Sequence, residues 1–127
     1  MRSTGFTSEP RGKELPINAL DLARRVRSVI EEKKGEKIRL LDVRGISDIA
    51  DYILIVTGNS PPHLKALYNE VHTTLKHEGL PSYRRAGAPE GGWLVVDYVD
   101  VIIHIFSAAA REYYAVEELW AKAPVLD

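Results

Sequence analysis

The sequence predicts an α+β domain in which helices pack on a mixed, five-stranded sheet. Two observations carry this reading. Stretches with apolar residues at helical spacing are separated by β-branched runs bounded by turn residues, and the coarse order that results is α, β, β, α, β, β, β, α. At 127 residues the chain is one domain, long enough for a single core.

Residues 1–16 (MRSTGFTSEPRGKELP) are rich in Gly, Pro, Ser and charge and are expected to be a disordered tail before a domain spanning residues 17–121. Asn18 is a candidate N-cap. After it Leu22, Val26, Val29 and Ile30 make an apolar stripe, with Arg24, Arg25 and Arg27 mostly off it and Gly35 as the stop. The arginines could meet RNA; a solvated helix face explains them more simply. Lys37 to Val43 reads as a strand, and Asp51 to Thr57 (DYILIVT) as a fully covered central one. Ser60 then caps a helix whose first turn holds Pro61 and Pro62 and whose inner face is Leu64, Leu67, Tyr68, Val71 and Leu75, with Gly79 at its end. Leu80 to Arg85 predicts a short strand, and Ala86 to Gly92 (AGAPEGG) a flexible loop.

The stretch from Trp93 to Trp120 is the most informative. Trp93 to Tyr98 and Val101 to Phe106 form a hairpin, and Ser107 opens a helix expected to end near Trp120. Alternation puts Trp93, Val95 and Asp97 on one side and Leu94, Val96 and Tyr98 on the other. In the second strand Val101, Ile103 and Ile105 oppose Ile102, His104 and Phe106. Both faces are largely apolar, which places the hairpin inside the sheet. Along the last helix, Tyr113, Val116 and Trp120 share one stripe, Tyr114 and Glu117 lie on the next, and Glu118 points further toward solvent. Residues 122–127 contain Pro124 and read as a frayed end.

Composition narrows the functional classes. With no cysteine there is no disulfide, thiolate metal site or cysteine nucleophile. No apolar run approaches the about 18 residues of a membrane span and no signal peptide opens the chain, so a cytoplasmic protein is expected. A net charge of −1 argues against strong non-specific nucleic-acid binding. From Ala86 to Asp127, however, Glu90, Asp97, Asp100, Glu112, Glu117, Glu118 and Asp127 face only Arg111 and Lys122, a local −5. Carboxylates beside aromatics suggest a surface made to meet a basic protein.

Three constellations compete for the chemistry. The Gly58-Asn59-Ser60 turn could seat a phosphate at a helix start, but no Asp-x-Asp pair follows to hold Mg²⁺, and a plain cap accounts for Ser60. Asp97, Asp100 and His104 could be imagined as a metal site, yet strand pairing accounts for the histidine, and His63, His72 and His77 lack metal-ligand spacing. No catalytic residue, metal or cofactor is expected. The third set is Trp93, Asp97, Asp100, Arg111, Tyr113, Tyr114, Glu117 and Trp120, whose rings are either core or interface anchors.

Together, LLDVRGISDIADYILIVTGNS (Leu40 to Ser60), WLVVD with DVIIHIF (Trp93 to Phe106) and R-x-x-Y-x-x-E-x-L-W (Arg111, Tyr114, Glu117, Leu119, Trp120) closely resemble the ribosomal silencing factor, or Iojap, family over roughly residues 20 to 120. The resemblance implies a nucleotidyltransferase-like fold without the catalytic carboxylates. It implies binding to the large ribosomal subunit through ribosomal protein L-fourteen, on the face where the small subunit docks, so that joining is blocked and translation falls when nutrients are short. Organellar relatives assist large-subunit assembly instead, and homodimers are expected. Matched residue for residue, partner binding falls on Trp93, Asp97, Asp100, Arg111, Tyr114 and Glu117, supported by Leu119 and Trp120. Where the family carries glycine this chain has Val99, which predicts a looser hairpin turn, because a β-branched residue is ill suited to positive φ. The rivals are a nucleotidyltransferase-like enzyme centred on Ser60 and Asp97, and a large-subunit assembly chaperone.

Overall fold

The computed structural model describes residues 17–126, so the expected tail lies outside the described residues. The strands are β1 (Glu36–Asp42), β2 (Tyr52–Gly58), β3 (Arg84–Ala88), β4 (Trp93–Asp97), β5 (Val101–Ser107) and β6 (Val125–Leu126); the helices are α1 (Ala19–Glu32), α2 (Pro61–His77) and α3 (Ala108–Tyr114). The fold is α+β as expected, but the sheet has six strands rather than five, in the order β3-β4-β5-β2-β1-β6. Among the described residues only β2 and β5 pair in parallel; the other neighbours are antiparallel. Every residue of β2 is buried, as its unbroken apolar run requires.

Helices α1 and α2 cover one face. Leu22, Val26 and Ile30 of α1 and Leu64, Leu67 and Val71 of α2 close over Leu54, Val56, Leu94, Val96, Ile103 and Ile105. On the other face a smaller cluster gathers Leu41, Val43, Ile53, Ile55, Phe106 and Val116, with Trp93, Ile102 and Trp120 against it. The alternation read from the hairpin is therefore the division between these two cores, and β4 and β5 lie inside the sheet.

Local chemistry sets the ends of the helices. Asn18, Ser60 and Ser107 each accept a hydrogen bond from the backbone N–H three residues on. At the end of α1 it is Lys34, with φ 66°, that takes the left-handed position. Gly35 matters for a different reason: a Cβ there would collide with Ile30 Cγ2 and sit 2.7 Å from Val56 Cγ2.

Four expectations are corrected. The third strand is Arg84–Ala88, not Leu80 to Arg85, so much of the supposed loop is strand: Ala86 and Ala88 pair with Val95 and Trp93, and Gly87, at φ 94°, lies so close to Trp93 that a Cβ would strike its carbonyl oxygen. The last helix stops at Tyr114 instead of running to Trp120. Ala115 turns left-handed at φ 49°, and Val116–Trp120 continues as a 3₁₀ turn. Residues 122–127 were expected to fray, yet Val125 and Leu126 pair with Leu41 and Leu40. Pro124 presents its carbonyl to the Asp42 N–H at 3.0 Å, and Arg27 Nη1 donates to the Leu126 carbonyl at 3.0 Å. Finally, the hairpin turn is tight. Val99 accepts φ 74°, while the Asp100 N–H bonds the Tyr98 carbonyl at 2.9 Å and the Tyr98 N–H bonds the Val101 carbonyl at 2.8 Å.

Candidate functional site

The face of β3, β4 and β5 opposite α1 and α2 has a floor of alternate side chains, among them Val95, Ile102 and His104, each half-buried. An aromatic row borders it. The Trp93 ring lies 4.6 Å from Tyr114, 5.1 Å from Phe106 and 5.9 Å from His104 between centroids. His104 stacks on Phe106 at an interplanar angle of 9°, and Trp120 lies beyond it at 6.4 Å. The Trp93 indole N–H donates to His104 Nδ1 at 3.1 Å.

Between this row, the β1–β2 loop and the edge strand β3 is a trough of about 340 Å³, with Ile49, Ile53, Val95, Ile102, Leu119 and Trp120 among its lining residues. Ile49 is 75% exposed and Leu119 72% exposed, a solvent contact that neither apolar side chain gains from unless another molecule covers it.

The expected binding residues divide into two groups. Trp93, Tyr114, Leu119 and Trp120 meet along the row and trough. Asp97, Arg111 and Glu117 are engaged within the fold. Asp97 is buried; its carboxylate accepts the Val99 N–H at 2.7 Å and Arg84 Nε at 3.2 Å. The carbonyl of Asp100 accepts the N–H groups of Asp51 and Tyr52, tying the hairpin turn to the start of β2. Arg111 grips Glu117 through two bonds of 2.9 and 3.0 Å, and its Nη1 reaches the Lys37 carbonyl at 2.7 Å and Thr57 Oγ1 at 2.8 Å. That grip holds the Glu117 carboxyl below the usual carboxylate range against the opposing effect of burial. Of the stripe Tyr113, Val116 and Trp120, Val116 is buried and Tyr113 is 81% exposed, because the helix breaks between them.

Two participants were missed. His104 was weighed only as a metal ligand, and among the described residues no group of three or more His, Asp or Glu is placed to hold a metal. Ile49 sits in the loop between β1 and β2; the signal was its occurrence with Ile46, two isoleucines in a short loop, both exposed. At the Gly58-Asn59-Ser60 turn, Ser60 Oγ accepts the His63 N–H at 3.1 Å, the cap that sequence alone explains. A hollow of about 770 Å³ beside it carries Glu36 and Glu90, whose charges repel phosphate.

Residues 16–127 match the family model described as "Ribosomal silencing factor during starvation". The chain is 34% identical over 111 residues to ribosomal silencing factor RsfS of Bacillus subtilis, covering 87% of this chain and 94% of that one. A crystal structure of a protein from Chromobacterium violaceum aligns with a TM-score of 0.79 at 30% identity, covering 83% of this chain and 88% of that chain. The Mus musculus protein named "Mitochondrial assembly of ribosomal large subunit protein 1" is 28% identical over 96 residues, 73% of this chain and 42% of the longer mouse protein. No helix among the described residues is long and apolar enough to cross a membrane. Sequence and fold agree over most of the chain: it belongs to the ribosomal silencing factor family, whose members regulate translation at the ribosome.

Proposed function

We propose that this protein is a non-enzymatic, cytoplasmic translational repressor that docks on ribosomal protein L-fourteen of the large subunit and excludes the small subunit by bulk. The observation that carries the reading is the trough walled by exposed Ile49 and Leu119 beside the Trp93 row, an apolar surface that nothing within the described chain covers. Trp93, Tyr114, Leu119 and Trp120 supply the contact. Asp97, Asp100, Arg111 and Glu117 serve it by fixing the hairpin turn and the 3₁₀ segment that carries Leu119 and Trp120. Exposed Glu112, ahead of that segment, and exposed Glu118, within it, favour approach to a basic protein.

Leu119→Asp tests this with little risk to the fold, since the side chain is exposed. It is expected to weaken binding to purified large subunits at least about tenfold and to restore subunit joining in sucrose gradients. Unchanged binding would overturn the reading. Assembly of the large subunit is a second reading, favoured by the name of the mouse relative. In the same gradients it predicts immature large particles when the protein is depleted, whereas silencing predicts more joined ribosomes. A second copy of this chain is the competing occupant of the face, and concentration-dependent sedimentation of wild type against Leu119→Asp separates it from ribosome docking.

A further inference from the structure

Trp93 and His104 together fix the position of a proton. An indole nitrogen can only donate, so the 3.1 Å contact obliges His104 Nδ1 to present its lone pair, and the ring proton must sit on Nε2. His104 lines the trough. Its Nε2 has no hydrogen-bond partner among the described residues, and it is not among the buried polar atoms left unsatisfied, so it keeps contact with solvent. The free protein therefore presents an imidazole N–H donor of fixed tautomer in a channel whose lining is largely apolar, with Arg84, Arg85 and Asp97 also along it.

A partner that fills the channel with hydrocarbon alone would strip water from this donor and leave it unpaired, which opposes binding. We propose that His104 is a specificity-determining residue for docking: its Nε2–H donates to a main-chain carbonyl of the protein segment that enters the trough. This inference rests on the docking reading above and adds the chemistry by which the correct segment is told from other apolar ones. Burial holds the ring's pKa down at about 4, so it is neutral at pH 7, with the single tautomer that Trp93 selects. A protein acceptor is favoured over rRNA because Ile49, Leu119 and Trp120 in the lining suit side-chain packing, while the two arginines that also line the trough are engaged, Arg84 with the Asp97 carboxylate and Arg85 over the Tyr68 ring.

Two substitutions separate the halves of the ring. In His104→Asn the amide reaches only the Nδ1 position, so Trp93 keeps a partner while the trough loses its donor. In His104→Gln the amide extends to the Nε2 position. Binding to purified large subunits and to the isolated ribosomal protein is measured for both, alongside Leu119→Asp, with thermal unfolding to establish that each variant is folded. The Asn variant is expected to bind at least about tenfold more weakly than wild type and the Gln variant within about threefold of it. Equal losses in both, or no loss in the Asn variant while Leu119→Asp abolishes binding, would overturn the hydrogen bond and leave the docking surface standing. No loss in any of the three would overturn the docking surface itself. A loss by the Asn variant on intact subunits but not on the isolated protein would assign the acceptor to rRNA and overturn the proposal as stated. Long-range ¹⁵N NMR of the free protein must also show the proton on Nε2.

Discussion

Val99 occupies the left-handed region at φ 74°, where a β-branched side chain crowds its own backbone. Strain of this kind costs on the order of 1 to 3 kcal/mol, and here the fold imposes it through the Asp97 carboxylate, the two turn hydrogen bonds and the anchoring of the Asp100 carbonyl. Val99→Gly is expected to stabilise the protein by about 1 kcal/mol, read as a rise in the urea midpoint. His104 adds a pH dependence at the same scale. Its folded pKa of about 4 lies below the 6.5 of a free histidine, so between those values the unfolded chain binds the extra proton. Stability should therefore fall as pH drops from about 6.5 toward 4, by up to about 3 kcal/mol, and stay level above that window. Unfolding midpoints of wild type against His104→Gln check this, because the histidine's share of the slope should vanish in the variant. The strain at Val99 was visible in the sequence as a β-branched residue at a turn. That the turn would tighten regardless was not visible, since the bonds that enforce it come from Asp97 and from the pairing of the turn with β2.

Among the elements, the break after α3 decides the shape of the trough. Ala115 is an excellent helix former, so nothing local announces that it turns left-handed. Burial of Val116 and the pull of Arg111 on Glu117 fold the chain back. The periodicity that joined Tyr113, Val116 and Trp120 in one stripe was read past the point where the helix exists. Arg111→Met is expected to cost about 2 kcal/mol, because Thr57, the Lys37 carbonyl and Glu117 all lose a partner. It should also weaken subunit binding by freeing residues 116–120, seen as faster amide exchange in that segment while α1 and α2 keep their protection. By contrast α1, α2, β2, β4 and β5 were legible, because their hydrophobic periods and caps are local properties. Strands β3 and β6 were shifted or missed, because small residues and a two-residue ladder acquire their structure only from a neighbour.

Across the whole molecule, the acidic excess of the last third is less available than a residue count suggests. Asp97 and Glu117 are both committed to arginines inside the fold, leaving Glu90, Glu112 and Glu118 exposed. In the proposed docking, steering is then a modest contribution and apolar contact the main one. Raising salt is expected to slow association with large subunits by less than about tenfold and to leave dissociation nearly unchanged, which stopped-flow mixing resolves. Of the residues the sequence singled out, the fold brings Trp93, Tyr114, Leu119 and Trp120 to the row and trough, while Asp97 and Glu117 are bonded to arginines of the scaffold.

The two-residue strand β6 governs how the protein can be handled. It seals the outer rim of β1, and a rim left open is a template on which another chain can add itself. Cutting the polypeptide after Ala121 is expected to lower the melting temperature and drive concentration-dependent aggregation, visible by light scattering. A purification handle is better attached ahead of residue 17 than behind the strand that closes the sheet.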